Sequence, residues 1–414
     1  MMRQRCLFVC LMLVLVGRVY GVDVRLESYA SGVDTVPIAV VPFSVTGGGM
    51  PGGDEPWSVI AGDLAFSPRF RVLRTRDTDS TALLSQGVGI YIDGECRFSE
   101  GTVELDCYLR SAADGRSLMG NKYRGSTKYL RSMAHRFSNQ VVEALLGERG
   151  IYESRVLYVR VDGETKDLYI MDYDGHNVKR LTKTNTVNVF PAFVDSNTIV
   201  WTSFLRGKPD IYRGSTSSGA SKIFLYSRAV ETSPAASPIE GLVAYASSKP
   251  GNLEIFVTDL DKTSVRRLTH RGGIDTSPCW SPNGYQIAFT SDRSGQPQIY
   301  VMDADGTNTR RLTFDGSYQD SPAWSPRGDR IAYASYRKGK FDIWTIGPDG
   351  SDPKQITDQP GNNEYPAWSP DGLHLVFVRR AGGSSDLYTV RADGTGLRRL
   401  TSTGDALMPA WSPF

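Results

Sequence analysis

A proline recurs through the C-terminal part of the chain at a nearly fixed interval. Pro191, Pro234, Pro278, Pro322, Pro366 and Pro409 are separated by 43, 44, 44, 44 and 43 residues. Most are followed two residues later by an aromatic, as in "SPAWSPRGDRIAYAS" from Ser321. A second anchor keeps the same beat: Leu181-Thr182, Leu268-Thr269, Leu312-Thr313, Ile356-Thr357 and Leu400-Thr401. A third is an acidic or amide residue ahead of an apolar-aromatic pair, as in "DLYIMD" at 167, "EIFVTD" at 254 and "DIWTIG" at 342. Three independent anchors on a period of about 40–45 residues, built from short strand-like runs, mark a β-propeller.

Each unit reads as four strands. "SPAW" is the first and "SPRGD" a tight turn, where proline presets φ and glycine takes the positive φ. "RIAYAS" is the second strand and "DIWTI" the third. "GPDG" is a turn with an Asp-Gly signal, and "PKQIT" is the fourth strand. Six prolines imply six four-stranded blades. The phase of the repeat tells how the ring closes. "RVLYVRV" at 155–161 matches a second strand, whereas "MPAWSPF" at the end matches a first strand. The last strand is therefore expected to complete the first blade. One unit has decayed: Ala236 stands where tryptophan is expected, and "RGSTSSGASKIFLYS" lacks both the Asp-Gly turn and the Leu-Thr pair.

Residues 1–21 read as a signal peptide, with a basic "MMRQR" and an apolar "CLFVCLMLVLVG" too short to span a membrane comfortably. Its removal takes Arg3, Arg5 and Arg18 and no acid, so net charge moves from +2 to −1. That leaves no basic field to attract nucleic acid. No later apolar run approaches a membrane span in length, so the mature chain is expected to be soluble. Residues 22–150 do not repeat and are expected to form an α/β domain ahead of a propeller over 151–414. "PIAVVPF" reads as a strand, "PWSVIAGDLAFS" as a short helix, and 88–98, 102–110 and 117–125 as a meander. A long helix follows, with Leu130, Met133, Phe137, Val141 and Leu145 on one face, Ser126 or Thr127 as its N-cap and Gly147 at its end. Cys96 and Cys107 flank a turn and could be a disulfide or two core thiols. Cys279 takes the place of a small buried alanine.

No catalytic constellation is visible. There is no G-x-S-x-G, H-E-x-x-H or C-x-x-C, and "TGGGMPGG" lacks the GK[ST] of a phosphate-binding loop. His135, His176, His270 and His374 do not recur with the repeat, and His135 reads as a packed or surface residue beside the helix's apolar stripe. No metal site, cofactor or catalytic residue is assigned. What does recur is a polar preface to each proline: Asn188, Glu231-Thr232, Asp275-Thr276, Gln319-Asp320 and Asn363-Glu364, with Asp405 slightly earlier in the last unit. These residues open the innermost strands and are expected to ring one mouth of the channel. Their five-odd carboxylates would make a negative funnel, either a solvated rim, a docking mouth for a protein or, less favourably, a cation site.

The repeats, together with "SGVDTVPIAVVPF", "AGDLAFSPRFRVL", "LRSMAHRFSNQVVEALLGERGIYESRVLYV" and the terminal "MPAWSPF", resemble the TolB family, the periplasmic component of the Tol–Pal cell-envelope system. The resemblance covers the whole mature chain. It departs in a shorter stretch between "FRVL" and "VGIYIDGE" and in the decayed unit. It implies a non-enzymatic periplasmic adaptor, monomeric and touching membranes only through its partners. The propeller mouth would dock the peptidoglycan-associated lipoprotein Pal. The mature N-terminus, Val22, Asp23, Val24, Arg25, Leu26 and Glu27, would contact the inner-membrane-anchored TolA. The alternation of Val22, Val24 and Leu26 suits addition to another sheet as a strand. A secreted propeller hydrolase or lyase, or a sugar-binding propeller, are the alternatives.

Overall fold

The computed structural model describes residues 35–47, 55–239 and 241–414. The expected signal peptide and the segment from Val22 to Glu27 lie outside the described residues. The N-terminal region runs β1 (Val36–Val40), β2 (Ser44–Thr46), α1 (Pro56–Phe66), β3 (Phe70–Arg74), α2 (Ser80–Ser85), β4 (Ile90–Ser99), β5 (Thr102–Ser111), β6 (Ser117–Ser126) and α3 (Leu130–Leu146). Its sheet has the order β3-β1-β4-β5-β6, with β2 also pairing β4. β1 lies parallel to both β3 and β4, whereas β4, β5 and β6 form the antiparallel meander. β1 is buried on both faces at its end, which is why it reads as a continuous apolar run rather than an alternation.

α3 packs Leu130, Phe137 and Val141 into the core, and Gly147 ends it at φ 65°, a left-handed cap that favours glycine. The expected N-cap is corrected. Residues Thr127–Tyr129 form a 3-10 turn, so Tyr129 precedes the helix and neither Ser126 nor Thr127 caps it by a side-chain hydrogen bond. Cys96 and Cys107 are buried free thiols. The register sets Cys96 opposite Leu105 and Cys107 opposite Gly94, so the two are offset along the ladder. Burial pushes the Cys96 thiol up to about 11, as expected of an inert core sulfur.

Six four-stranded sheets follow. Blades I to V occupy 188–225, 231–267, 275–311, 318–355 and 362–399. Blade VI is made of the last strand, Ala406–Trp411, hydrogen-bonded to Arg155–Asp162 and thence to Thr165–Asp172 and Lys179–Arg180. The chain thus closes its ring by pairing its last strand with its first, as the phase of the repeat requires. The innermost strand of every blade carries a bulge at the residue before the recurring proline. Phe190, Ser233, Ser277, Ser321, Tyr365 and Met408 all have φ between 47° and 56°.

Two of the three sequence anchors prove to be wired to each other. In five blades the threonine of the Leu-Thr pair accepts a hydrogen bond at 2.9–3.0 Å from the backbone amide that follows the acidic or amide anchor. In four of these it also donates to that anchor: Thr182 to Asp167, Thr313 to Gln298, Thr357 to Asp342 and Thr401 to Asp386. Arg180, Arg267 and Arg399 add a cation to the carboxylates of Asp167, Glu254 and Asp386. These anchor groups are buried, so each must be satisfied within the blade. Blade I lacks the threonine, and its Asp210 is held instead by Lys208 and Arg206. The recurring tryptophans fill the seams between blades: Trp280 and Trp368 donate from Nε1 to the carbonyls of Ala235 and Ala323, one blade earlier.

The N-terminal region rests on blades V and VI through a buried polar cluster. His135 Nδ1 lies 2.9–3.0 Å from both oxygens of Asp63, and Tyr173 donates to Asp63 at 2.6 Å. Asp174 pairs with Arg131 and stands 3.5 Å from His135 Nε2. Beside it the Phe66 ring stacks on His374 at 3.9 Å, and His374 Nε2 bonds the Phe66 carbonyl at 2.9 Å. His135 and His374 are therefore packed groups at a seam between regions 70 or more residues apart. His135, Asp172 and Asp174 also bring ligand atoms within 4.8 Å of one another. However, Asp63 already holds His135 through Nδ1 and Arg131 pairs with Asp174, so the cluster carries its own counter-charges.

Candidate functional site: the propeller mouth

Topology places the two ends of the channel. The contacts to Tyr173, Asp174 and His374 come from the turns after third strands and before second strands, so the N-terminal region packs against the blade V and VI side of that end. The beginnings of the first strands, and the loops between second and third strands, open at the other end. Six exposed apolar side chains collect on this open rim: Phe204, Leu205, Tyr226, Ile274, Phe314 and Tyr318. Exposed apolar groups gathered on one face mark an interaction surface more often than singly scattered ones do.

The polar prefaces divide into two sets. Asn188, Glu231, Asp275, Gln319 and Asn363 are each at most 1% exposed. They are not mouth residues, which corrects the expectation that all would ring the opening. Successive strand residues alternate faces, and these turn away from the water. Asp275 pairs with Arg293 at 2.7 Å, and Glu231 accepts from Ser227 at 2.6 Å with Lys249 at 3.5 Å. Asn188 accepts from Trp201, Gln319 donates to the Asp315 carbonyl, and Asn363 donates to Asp342. The next residue along, Thr232, Thr276, Asp320 or Glu364, is only partly buried and stands at the opening. Asp405 is tied to Arg160 at 2.9 Å, and Glu364 faces Arg380 at 3.4 Å. The strongly negative funnel therefore does not form: most of its carboxylates are buried or paired.

Deeper in, the six bulge residues and their prolines line a cavity of about 140 Å³ on the axis. This constriction is smaller than the ~300–1,000 Å³ of ordinary small-molecule pockets. A larger cavity of about 540 Å³ lies off the axis, where blades III, IV and V meet at the rim, and contains Tyr318, Tyr336, Phe341 and Tyr365 with Asp320 and Glu364. Burial raises Asp320 above the usual carboxylate range, with hydrogen bonds from Thr290 and Ser321 offsetting part of the rise. Burial raises Glu364 also; Arg380 opposes the shift and the Asp320 charge adds to it. The sequence pattern did not single out this aromatic set. Its only trace in the repeat is that Tyr318 stands where other units have Val187, Val230, Ile274, Asn362 or Asp405, and Tyr365 where three others have serine.

A family model described as the TolB beta propeller domain matches residues 142–414. The chain belongs to the TolB β-propeller family. A TolB homolog from Chlorobaculum tepidum is 37% identical over 193 residues, which is 46% of this chain and 44% of the relative. The Tol-Pal system protein TolB of Gluconobacter oxydans is 32% identical over 250 residues, 58% of this chain and 54% of the relative. The matched stretches thus span about half the length of the curated relatives. The crystal structure of TolB from Acinetobacter baumannii superposes with a TM-score of 0.79 at 26% identity, covering 92% of this chain and 97% of that one. The six-bladed ring behind an α/β region is therefore the arrangement of a TolB protein.

In this TolB propeller the buried prefaces hold blades together. Asp275→Ala should cost about 3–5 kcal/mol, because it strands the Arg293 guanidinium in a site only 11% exposed. Thr276→Ala, one residue along, should stay within about 0.5 kcal/mol. Urea denaturation of both variants checks the contrast, and equal costs would mean that Asp275 does not have this structural role.

Proposed function

We propose that this protein is a non-enzymatic periplasmic adaptor of the Tol–Pal system. In this reading it links the outer-membrane lipoprotein Pal, docked at the open rim, to TolA, met by the segment from Val22 to Glu27. Its role would be envelope integrity and outer-membrane constriction during division. The observation that carries the reading is the asymmetry of the ring: at one end the chain's own N-terminal region packs on blades V and VI, and the other end presents a rim of exposed apolar side chains. Membership of the TolB family and the Tol-Pal naming of its relatives support the same assignment. The narrow axial constriction favours a docking surface over a hydrolase, lyase or sugar site in the channel. Of the residues first expected at the mouth, Thr232, Thr276, Asp320 and Glu364 remain contact candidates, with Ile274, Phe314 and Tyr318 added. No metal or cofactor is assigned, and a monomer suffices.

Ile274→Asp with Phe314→Asp should weaken binding of the soluble Pal domain about tenfold or more in calorimetry, with an unchanged melting temperature. Unchanged affinity would remove the rim from the reading. Deleting residues 22–33 should spare Pal binding and abolish capture of TolA; loss of both contacts, or of neither, contradicts the assignment of two separate surfaces.

A further inference from the structure

Asp320 differs from the other carboxylates of the mouth. Asp275, Glu231, Glu364 and Asp405 each face a lysine or arginine within 3.5 Å. Among the described residues Asp320 has no ion pair. Its hydrogen bonds come from the Thr290 hydroxyl at 2.8 Å, the Ser321 amide at 2.6 Å and the Ser277 hydroxyl at 3.4 Å, and all three end on Oδ1. A desolvated carboxylate without a cation is costly, and a bound positive charge offsets that cost. The aromatic rings around it are arranged for the same purpose. Phe341 meets Tyr318 edge to face at 5.7 Å and Tyr336 at 5.0 Å, forming one wall, and Tyr365 also lines the cavity. Rings beside a carboxylate accept a cation on their faces while excluding water. Arg380 answers Glu364, and no salt bridge pairs Asp320 with a cation among the described residues.

We propose that the cavity between blades III, IV and V is a receptor for one basic side chain, arginine or lysine, presented by the docked protein partner. Asp320 supplies the counter-charge, the partly compensated Glu364 reinforces it, and Tyr318, Tyr336 and Phe341 enclose the aliphatic stem. A cavity of about 540 Å³ open to the rim can admit such a side chain without moving the blades. The inference rests on the reading of the rim as a docking face and gives that face a register, since a single anchored cation fixes how the partner is turned about the propeller axis. Buried charge-assisted contacts of this kind concentrate binding energy in a few residues.

The test uses the full mature chain and four capped tripeptides, Gly-Xaa-Gly, with Xaa arginine, lysine, norleucine or glutamate. Binding is followed by saturation-transfer NMR. The arginine and lysine peptides should bind at least about tenfold more tightly than norleucine, and glutamate should not bind. Asp320→Asn, which keeps the side chain's shape, and Phe341→Ala should each remove the preference for a cation. Circular dichroism confirms that both variants are folded. Equal binding of norleucine, or a preference that survives both variants, overturns the proposal. Tight calcium binding lost in Asp320→Asn, with no peptide discrimination, would assign the cavity to a metal ion instead. Calorimetry with the Pal domain separates the two levels. Peptide discrimination without any Pal binding refutes the docking reading and keeps the receptor. Pal binding that is weakened by Phe314→Asp but indifferent to Asp320→Asn refutes the receptor and keeps the docking face.

Discussion

A chain that ends at Thr403 should not form a closed ring. Such a truncation removes Ala406–Trp411, the innermost strand of blade VI, and with it the pairing of Ala406 to Arg160, Leu407 to Val159, Ala410 to Leu157 and Trp411 to Val156. It also removes Trp411, whose indole donates to Ser154 at 2.9 Å, and Ser412, whose hydroxyl accepts from the Arg155 amide at 3.0 Å. The strand Arg155–Asp162 would become an exposed edge, and the core around Val156 and Leu157 would face water. The loss combines an aromatic deletion of about 3–5 kcal/mol with a row of ladder hydrogen bonds. Together these exceed what a marginally stable domain can lose. The truncated protein should be protease-sensitive throughout the blades. A synthetic peptide of residues 404–414 should restore protection only at high concentration, since it replaces an intramolecular contact with an intermolecular one. Protease resistance equal to that of the full chain would show that the other five blades hold the ring unaided.

The second large effect is expected at the buried cluster between the N-terminal region and blade VI. Burial alone would lower the pKa of His135, but the charge and hydrogen bond of Asp63 and the charge of Asp174 outweigh it, and the net shift is upward. Burial would raise Asp174, and His135 with Arg131 reverses that, leaving it below its usual range. Asp63→Leu removes the main partner of a buried imidazolium and the acceptor of the Tyr173 hydroxyl. The expected cost is about 3–5 kcal/mol. His135→Leu should be similarly harmful, and the double variant should cost less than the two singles together, because it strands fewer charges. The sign of the pH dependence follows from the raised histidine. Its contribution is complete below its unfolded value of about 6.5 and is lost as pH rises through the higher folded value. The lowered Asp174 contributes above its unfolded value and is lost as the solution becomes strongly acidic. Cleavage of the junction near Ile151 by a protease, followed between pH 6 and 9, should therefore accelerate at the alkaline end. A flat profile, or additive costs in the mutant cycle, would show that the cluster does not couple the two regions.

Much of the ring is legible in the sequence because its anchors answer one another. The threonine and the acidic or amide residue recur because each satisfies a buried group of the other, and the proline recurs beside the bulge that every innermost strand carries. Blade I confirms the rule by exception: without its threonine, Asp210 takes cations from Lys208 and Arg206. The candidate site is less legible for a reason of geometry. Two adjacent polar residues precede each proline, and strand alternation sends one inward and one to the opening. Nothing in the composition of "ETSP" or "QDSP" says which. The bulge decides it, and its signal, a left-handed residue before proline, is spread over serine, tyrosine, phenylalanine and methionine, none of which advertises positive φ. The pairing of His135 with Asp63 crosses 72 residues and has no periodicity to betray it.

Closure by the last strand also sets a schedule. The clasp joins groups 245 and 257 residues apart in the chain, so blade VI cannot be completed while its final strand is still unmade. Contacts this distant in sequence form late and slowly. A nascent chain can fold its N-terminal region and assemble blades in succession, but it remains an open arc until the final dozen residues are available. The ring therefore acquires its mouth, and any capacity to hold a partner there, in one terminal step.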